Sequence, residues 1–297
     1  MPENKPKFAI FLAAKDGMPW LPIQIESIEK QNYINYKLFI NLDLSKDNSR
    51  LFLNKKIKKN KNIRIFFSKN RIGSPAKNFF WMIKNINFKK FDYLAFSDQD
   101  DIWFRNKLIY AHKAIIKNKA QGYSSNLIAF GEKKKNYYLK KDYPQKKFDY
   151  LFESVSAGCT FVLTKDSSIL FKNFLTKNWK KINRINNHDW FIYAFYRFNN
   201  LRWFCDKKYT IYYRQHKQNF LGANINFFSY IKRIKLIITG WYSSEIKKIY
   251  SILVDINKNN NLINIYSNFV VIKNINETRR RLRDRFVLLV LLILFIY

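Results

Sequence analysis

Three aspartates, Asp98, Asp100 and Asp101, stand directly behind an apolar segment at residues 91–96 that has the composition of a buried strand. We call these three residues the acidic cluster. Carboxylates crowded at a strand end repel one another and lose hydration, which costs free energy unless a cation or a ligand rich in hydrogen-bond donors compensates. A hard divalent cation such as Mg²⁺ or Mn²⁺, held by carboxylates and by substrate phosphates, would provide that compensation. The pattern therefore indicates chemistry on a nucleotide or a nucleotide sugar.

The same aspartates have a simpler interpretation as helix caps. Asp98 and Asp101 precede a helical pattern that begins near Phe104, and carboxylates are stabilised near a helix N-terminus by the helix dipole. For one aspartate the two interpretations are equally open, whereas three together favour the cation site. Asp189 is open to the same alternative, because an apolar helical pattern starts at Trp190.

Strand-like and helix-like segments alternate through the first part of the chain. Buried strands are predicted at residues 7–13, 37–42, 62–67 and 91–96, with helical patterns between them. This alternation predicts an α/β fold with a doubly wound, mostly parallel sheet and flanking helices. Ligands bind such sheets at the carboxyl ends of the strands, where Asp43, Arg71 and the acidic cluster all fall.

The pattern is looser beyond residue 120. Further strands are predicted at 125–130, 160–163 and 207–213, and a helix at 190–195. The basic, aromatic segment 132–142 has no apolar period, which predicts a loop. Gly158 stands in a turn of small residues, where the backbone could approach a ligand closely.

Composition limits the classes of function. The 297 residues are 47% hydrophobic, which excludes disorder as a description of the whole chain. The formal net charge of +34 is compatible with nucleic acid, an anionic membrane surface or small anionic substrates as partners. Part of this excess accompanies a general abundance of Lys, Asn, Ile and Phe. Cys159 and Cys205 have neither CxxC nor zinc-site spacing, so we expect free thiols in a reducing compartment.

The last part of the chain has a different character. We predict a catalytic domain at residues 1–225 and a helical region at 226–297, in which the basic segment 279–285 precedes an apolar run at 286–297. That run is too short to span a bilayer, which takes about 20 residues. It suits a segment that lies in an anionic leaflet, and the alternative is a helix packed on the domain. With no secretory signal before the first strand, we expect a cytoplasmic protein, peripheral on the inner face of the cytoplasmic membrane.

The residues Ser97-Asp-Gln-Asp-Asp-Ile-Trp103, followed by Lys107-Leu108, resemble the acidic signature of family-2 bacterial glycosyltransferases, most closely the rhamnosyltransferase-like branch. Further similar segments follow in the order found in that branch. They are Arg71-Ile-Gly73 with Asn78-Phe79, Gly158-Cys-Thr160, His188-Asp-Trp190, and Tyr213-Arg-Gln-His216 with Asn219 and Gly222-Ala223. The resemblance covers roughly residues 7 to 225.

This resemblance implies a GT-A fold and an inverting transfer of a sugar from a nucleoside diphosphate donor to a hydroxyl group. The acceptor would be a cell-surface glycan or a lipid-linked glycan. It also implies a role for each matching position: Asp189 as the general base, Asp100, Asp101 and His216 at the Mg²⁺ or Mn²⁺ ion, and Asp43, Arg71, Asp98 and Gly158 at the donor.

Two loops depart from the family pattern. The first reads Ala14-Lys15-Asp16-Gly17 in place of Thr-Tyr-Asn-Gly, and the second reads Leu-Asp-Leu-Ser-Lys-Asp at 42–47 in place of Asp-Asp-Gly-Ser-x-Asp. The donor nucleotide is therefore not predicted. Two other classes remain as alternatives: a metal-dependent nucleotidyltransferase or phosphohydrolase, and a basic nucleic-acid-binding protein. No nucleic-acid motif appears, so nucleic acid is not an expected partner.

Overall fold

The computed structural model describes residues 5–33, 35–131, 134–216, 227–255 and 263–294. Strands and helices alternate through its first part, as predicted. In chain order they are β1 (Phe8–Ala14), α1 (Trp20–Glu29), β2 (Tyr36–Leu42), α2 (Ser49–Lys59), β3 (Ile63–Phe67), α3 (Pro75–Asn85) and β4 (Tyr93–Ser97). β1 pairs in parallel with both β2 and β4, and β3 adds to β2 in the same direction.

The second part of the fold continues the same sheet. Its elements are β5 (Ile102–Trp103), α4 (Lys107–Lys117), β6 (Gly122–Gly131), β7 (Lys134–Leu139), α5 (Asp149–Phe152), a 3₁₀ turn (Gly158–Thr160), β8 (Val162–Thr164), α6 (Lys165–Lys177), α7 (Trp179–Ile182), α8 (His188–Phe198) and β9 (Trp203–Arg214). The strand order is β3-β2-β1-β4-β8-β6-β9-β5, with β7 paired to β6. β8 runs antiparallel between β4 and β6, whereas β6 and β9 are parallel.

The sheet is covered on both faces, which explains why its central strands are continuously apolar. All seven residues of β1 are buried. Phe11 packs into one apolar cluster with Phe80 of α3, and Ile10 packs into a second cluster with Ile25 of α1. Alternate residues of one strand thus serve opposite cores. The prediction of a doubly wound α/β fold with flanking helices is confirmed.

The C-terminal region is helical and joins one of these two cores. It contains α9 (Phe227–Ile238), α10 (Trp241–Val254), α11 (Asn268–Lys273) and α12 (Leu282–Ile293). Ile249, Leu253 and Leu292 belong to the same cluster as Phe191 of α8. The predicted division near residue 225 therefore does not separate two hydrophobic cores. Within the described ranges every helix is too short or too polar to span a bilayer.

The prediction of a loop over residues 132–142 was wrong for its central part. Residues 134–139 form β7, which pairs antiparallel with β6 at the side of the sheet. Tyr137 and Tyr138 are exposed on this strand. A strand that gains backbone hydrogen bonds without burying one face leaves no apolar alternation in the sequence, so the pattern missed it.

The helix after the acidic cluster begins later than the sequence indicated. α4 starts at Lys107, and Asn106 occupies the capping position. The two-residue strand β5 lies between the cluster and this helix, paired with β9. Asp98 and Asp101 therefore do not cap α4, and the simpler interpretation of the cluster is excluded for them.

Gly158 allows the 3₁₀ turn to approach the N-terminus of α8. A Cβ atom at this position would lie 2.3 Å from Nε2 of His188 and 3.2 Å from Cβ of Asp189. The His188 ring is restricted in its movement, because it packs on the Phe79 ring with 4.3 Å between ring centroids. The absence of a side chain is thus a packing requirement of the fold.

We predict that Gly158→Ala lowers the free energy of unfolding by about 1–3 kcal/mol, the usual cost of overpacking a core. Chemical denaturation would measure it. The same change made in a His188→Ala background should cost less, because the clashing ring is gone, and this double-mutant cycle isolates the contact. Equal costs in both backgrounds would contradict the steric explanation.

Candidate active site

The loops that follow β1, β2 and β4 meet at one edge of the sheet. Their register fixes this, since Leu12 pairs with Ser97 and Ala14 pairs with Leu42 at the carboxyl ends of the strands. Gln99, inside the acidic segment, fixes the loop that follows β1. Its Oε1 accepts from Lys15 N at 2.8 Å and its Nε2 donates to Lys15 O at 2.9 Å. The acidic cluster therefore lies beside the β1 loop in a fixed position.

The three aspartates of the cluster have different surroundings. Asp98 and Asp100 are partly exposed, whereas Asp101 is fully buried. Oδ1 of Asp101 accepts from Arg214 N at 3.1 Å, and its Oδ2 is buried with no hydrogen-bond partner among the residues that the structure describes. Ligand atoms of Asp98, Asp101 and Cys159 lie within 4.8 Å of one another. An unpartnered buried carboxylate oxygen in such a group is suited to a cation.

Burial dominates the electrostatics of the cluster. It raises the pKa of Asp98 to about 8, and the charges of Asp100 and Asp189 act in the same direction. Burial also raises the pKa of Asp101 well above its ordinary value, again with support from the neighbouring aspartates. A divalent cation would reverse this penalty, because it favours the ionised carboxylates.

Lys107 places a positive group beneath the cluster. It is fully buried, burial lowers its pKa to about 7, and the nearby Cys159 and Asp101 oppose that shift. Its Nζ lies 4.3 Å from the ring centroid of Trp103. In the sequence Lys107 was only part of a motif. Its spacing of four from Ala111, which is also buried, was the available signal that it faces inward.

Asp100 and His216, two of the three residues predicted at the metal, are brought together, whereas the third, Asp101, groups with Asp98 and Cys159. Nε2 of His216 lies 2.7 Å from Oδ2 of Asp100. The Trp20 ring stacks on the imidazole with 4.0 Å between centroids, and Arg214 Nε donates to Asp100 O at 2.8 Å. A carboxylate beside an imidazole, with further carboxylates near, is a donor set that fits Mn²⁺. Trp20 was not identified from the sequence.

Asp189 lies in the first turn of α8, close enough to Asp98 for the two charges to interact. Its Oδ1 accepts from Trp190 N at 2.8 Å. Burial raises the pKa of Asp189 to about 6, while that backbone bond, Lys141 and the Ser154 hydroxyl act in the opposite direction. The carboxyl group therefore changes charge near neutral pH, which is where a general base works best.

Asp43 holds the loop that carries Arg71. It is buried, and its Oδ1 accepts from the backbone N–H groups of Leu44 and Ile72, both at 2.8 Å, while its Oδ2 accepts from Gly73 N at 2.9 Å. Gly73 has a φ of +92°, which glycine adopts readily. Arg71 itself is exposed.

The donor contacts expected of Asp43, Arg71, Asp98 and Gly158 stay predictions. The same holds for the metal ligands and for the base. The matching residues Asn219 and Gly222-Ala223 lie outside the described residues. What the described residues show is one edge of the sheet where the acidic cluster and His216 come together, with Asp189 close enough to Asp98 for the two charges to interact.

Comparison with known proteins agrees with this geometry. Residues 10–202 match the model of glycosyl transferase family 2. The chain is 36% identical to the dTDP-rhamnosyl transferase RfbG of Shigella flexneri over 289 residues, which cover 96% of this chain and all of that protein.

Solved structures show the same fold at low identity. TarS of S. aureus, residues 1–349 in complex with UDP, has a TM-score of 0.58 and 13% identity, covering 91% of this chain and 71% of that one. The mannosyltransferase PcManGT of Pyrobaculum calidifontis, in complex with GDP-Man and Mn²⁺, has a TM-score of 0.55 and 9% identity, covering 88% and 78%. The extent of the family match and the identity to RfbG establish that the chain belongs to glycosyl transferase family 2.

Proposed function

We propose that this nucleotide-sugar glycosyltransferase is an inverting, metal-dependent enzyme. Its acceptor would be a hydroxyl group of a cell-surface glycan or a lipid-linked glycan. The observation that carries the proposal is that Asp189, whose pKa burial raises to about 6, lies close enough to interact with Asp98 of the acidic cluster, in which Asp100 contacts His216. The 36% identity to a dTDP-rhamnosyl transferase supports a dTDP-linked deoxy sugar as the donor.

Asp189 takes the proton of the acceptor hydroxyl as its oxygen attacks the anomeric carbon of the donor sugar. The bond between that carbon and the diphosphate oxygen breaks, and attack from the opposite side inverts the configuration. Asp100 and His216 would hold the divalent cation, and the buried Oδ2 of Asp101 would be a further ligand. When bound, that cation stabilises the negative charge that develops on the departing nucleoside diphosphate.

Asp100→Asn should weaken the binding of Mn²⁺ with dTDP by at least roughly tenfold, because a ligand charge is lost next to His216. Calorimetric titration would measure it. The matched control is Glu26→Gln, an exposed carboxylate of α1 that pairs only with Lys30 on the surface. Equal affinity in the Asp100 variant and the control would refute the metal assignment.

Asp189→Asn should leave donor binding intact and lower kcat by about 10²–10⁴-fold, the usual contribution of a general base. In the wild type, kcat should rise with pH through about 6 and then level off, because the base acts only when ionised. The variant should lose this acidic limb. Released nucleoside diphosphate is the product to measure, since pyrophosphate would indicate a nucleotidyltransferase. A variant that transfers sugar at the full rate would rule out the base assignment.

We also propose that the protein binds the inner face of the cytoplasmic membrane through α12. Leu288 and Leu292 bury one side of this helix, whereas Leu282, Phe286 and Ile293 on the other side are 75%, 67% and 58% exposed. An exposed helix side built of apolar residues, next to a basic segment, is typical of helices that lie in the surface of an anionic leaflet.

Phe286→Asp combined with Ile293→Asp should lower the affinity for vesicles rich in phosphatidylglycerol by more than tenfold, since burying each side chain contributes about 1.5–3 kcal/mol. Co-sedimentation would measure it. Ile116→Asp is the control, because Ile116 is 60% exposed on α4, away from the tail. If the double variant sediments with vesicles as the control does, α12 is not the membrane contact.

A further inference from the structure

The basic segment 279–285 contains both residues that are exposed on the surface and a residue, Arg280, that is buried in the interior. Arg280 is only 6% exposed. Its backbone N and its Nε donate to Oε1 of Glu153 at 2.6 and 3.3 Å, its Nη1 donates to Lys141 O at 2.8 Å, and its Nη2 donates to Ser154 O and Val155 O at 3.0 and 2.8 Å. A planar guanidinium with this many fixed partners holds them in one arrangement.

Two of these partners act on Asp189. The charge of Lys141 and the hydroxyl of Ser154 oppose the rise in the pKa of Asp189, and that hydroxyl donates to Ser156 O at 2.9 Å. The segment 153–156 continues into Gly158, where the backbone packs against His188 and Asp189 without room for a Cβ atom. Arg280 thus holds the chain just before the point where it passes Asp189, through the backbone oxygens of Ser154 and Val155.

A second connection runs to α8 itself. Nε of Arg280 lies 3.8 Å from Oδ2 of Asp149, which is fully buried. The same carboxylate accepts from the Tyr193 hydroxyl at 2.9 Å and pairs with Arg197 at 2.9 Å. Tyr193 and Arg197 belong to α8, whose first turn carries Asp189. The positive charge of Arg280 is therefore compensated by Asp149 and Glu153, and Asp149 also holds α8 in place.

We propose that Arg280 is a positioning residue, through which the C-terminal segment fixes the chain at 153–158 and the helix α8 around Asp189 and so completes the acceptor side of the active site. This rests on the proposed role of Asp189 as the base. The tail then serves catalysis as well as membrane binding, and the two roles belong to different residues: Arg280 inside, and the exposed side of α12 outside.

The test compares Arg280→Met with the wild type and with Arg184→Met, which removes an exposed arginine outside the site. Arg280→Met should lower kcat by about 10- to 100-fold and leave the affinity for dTDP and Mn²⁺ unchanged. Its acidic limb in the pH profile of kcat should move to higher pH. The reason is that burial still raises the pKa of Asp189, while the charge of Lys141 and the hydroxyl of Ser154, which oppose that rise, are no longer held in place. The two neighbouring titratable groups stay uncharged near pH 6, because burial raises the pKa of Asp98 to about 8 and lowers that of His188 to about 3.

Arg280→Lys should recover part of kcat, since it keeps the charge but not the forked geometry. If Arg280→Met is poorly folded, Ser154→Ala keeps the backbone oxygen that Arg280 contacts and removes the hydroxyl that opposes the rise in the pKa of Asp189, so it should also move the acidic limb upward. An unchanged limb in folded Arg280→Met, or in Ser154→Ala, overturns the inference. Full transfer by Asp189→Asn would instead overturn the proposed base, so the two failures are distinguishable.

Discussion

The site depends on three carboxyl groups placed together at the end of β4. Asp101 is fully buried and Asp98 and Asp100 are partly exposed, so ionisation of all three is costly without compensation. The chain supplies it from distant segments: the buried ammonium group of Lys107, the backbone N–H of Arg214 and the imidazole of His216. The short pairing of β5 with β9 brings two of these to the cluster. The local topology around the site serves this electrostatic requirement.

Two groups with different chemistry meet at this edge of the sheet. The acidic cluster and the imidazole of His216 form a donor set suited to a cation. Asp189 lies in the first turn of α8, beside the turn at Gly158. The proposed metal site and the proposed base would explain both groups together, and membership in glycosyl transferase family 2 agrees with that proposal. A nucleic-acid-binding protein would need neither.

The sequence predicted those parts of the structure that depend on local pattern. The central strands were found because both faces of the sheet are covered, and the site aspartates because they follow those strands. β7 was missed, since an exposed strand paired at the side of the sheet carries no apolar period. Arg280 was grouped with its basic neighbours, because its partners Asp149 and Glu153 are more than a hundred positions away in the chain. Charge compensation over such separations is a property of the fold and leaves no pattern in the sequence.

Asp43 holds the 71–73 loop through backbone groups, so the position of this loop and the side chains that it carries are determined separately. Both of its carboxylate oxygens are engaged by backbone N–H groups, so it determines where the 71–73 loop lies, whatever side chains that loop carries. Those backbone bonds place no demand on the identity of residue 71 or 72. The loop side chains can therefore be exchanged while the tether and the path of the loop stay the same. If Arg71 contacts the donor, as we predict, enzymes with different donors would be able to share one scaffold.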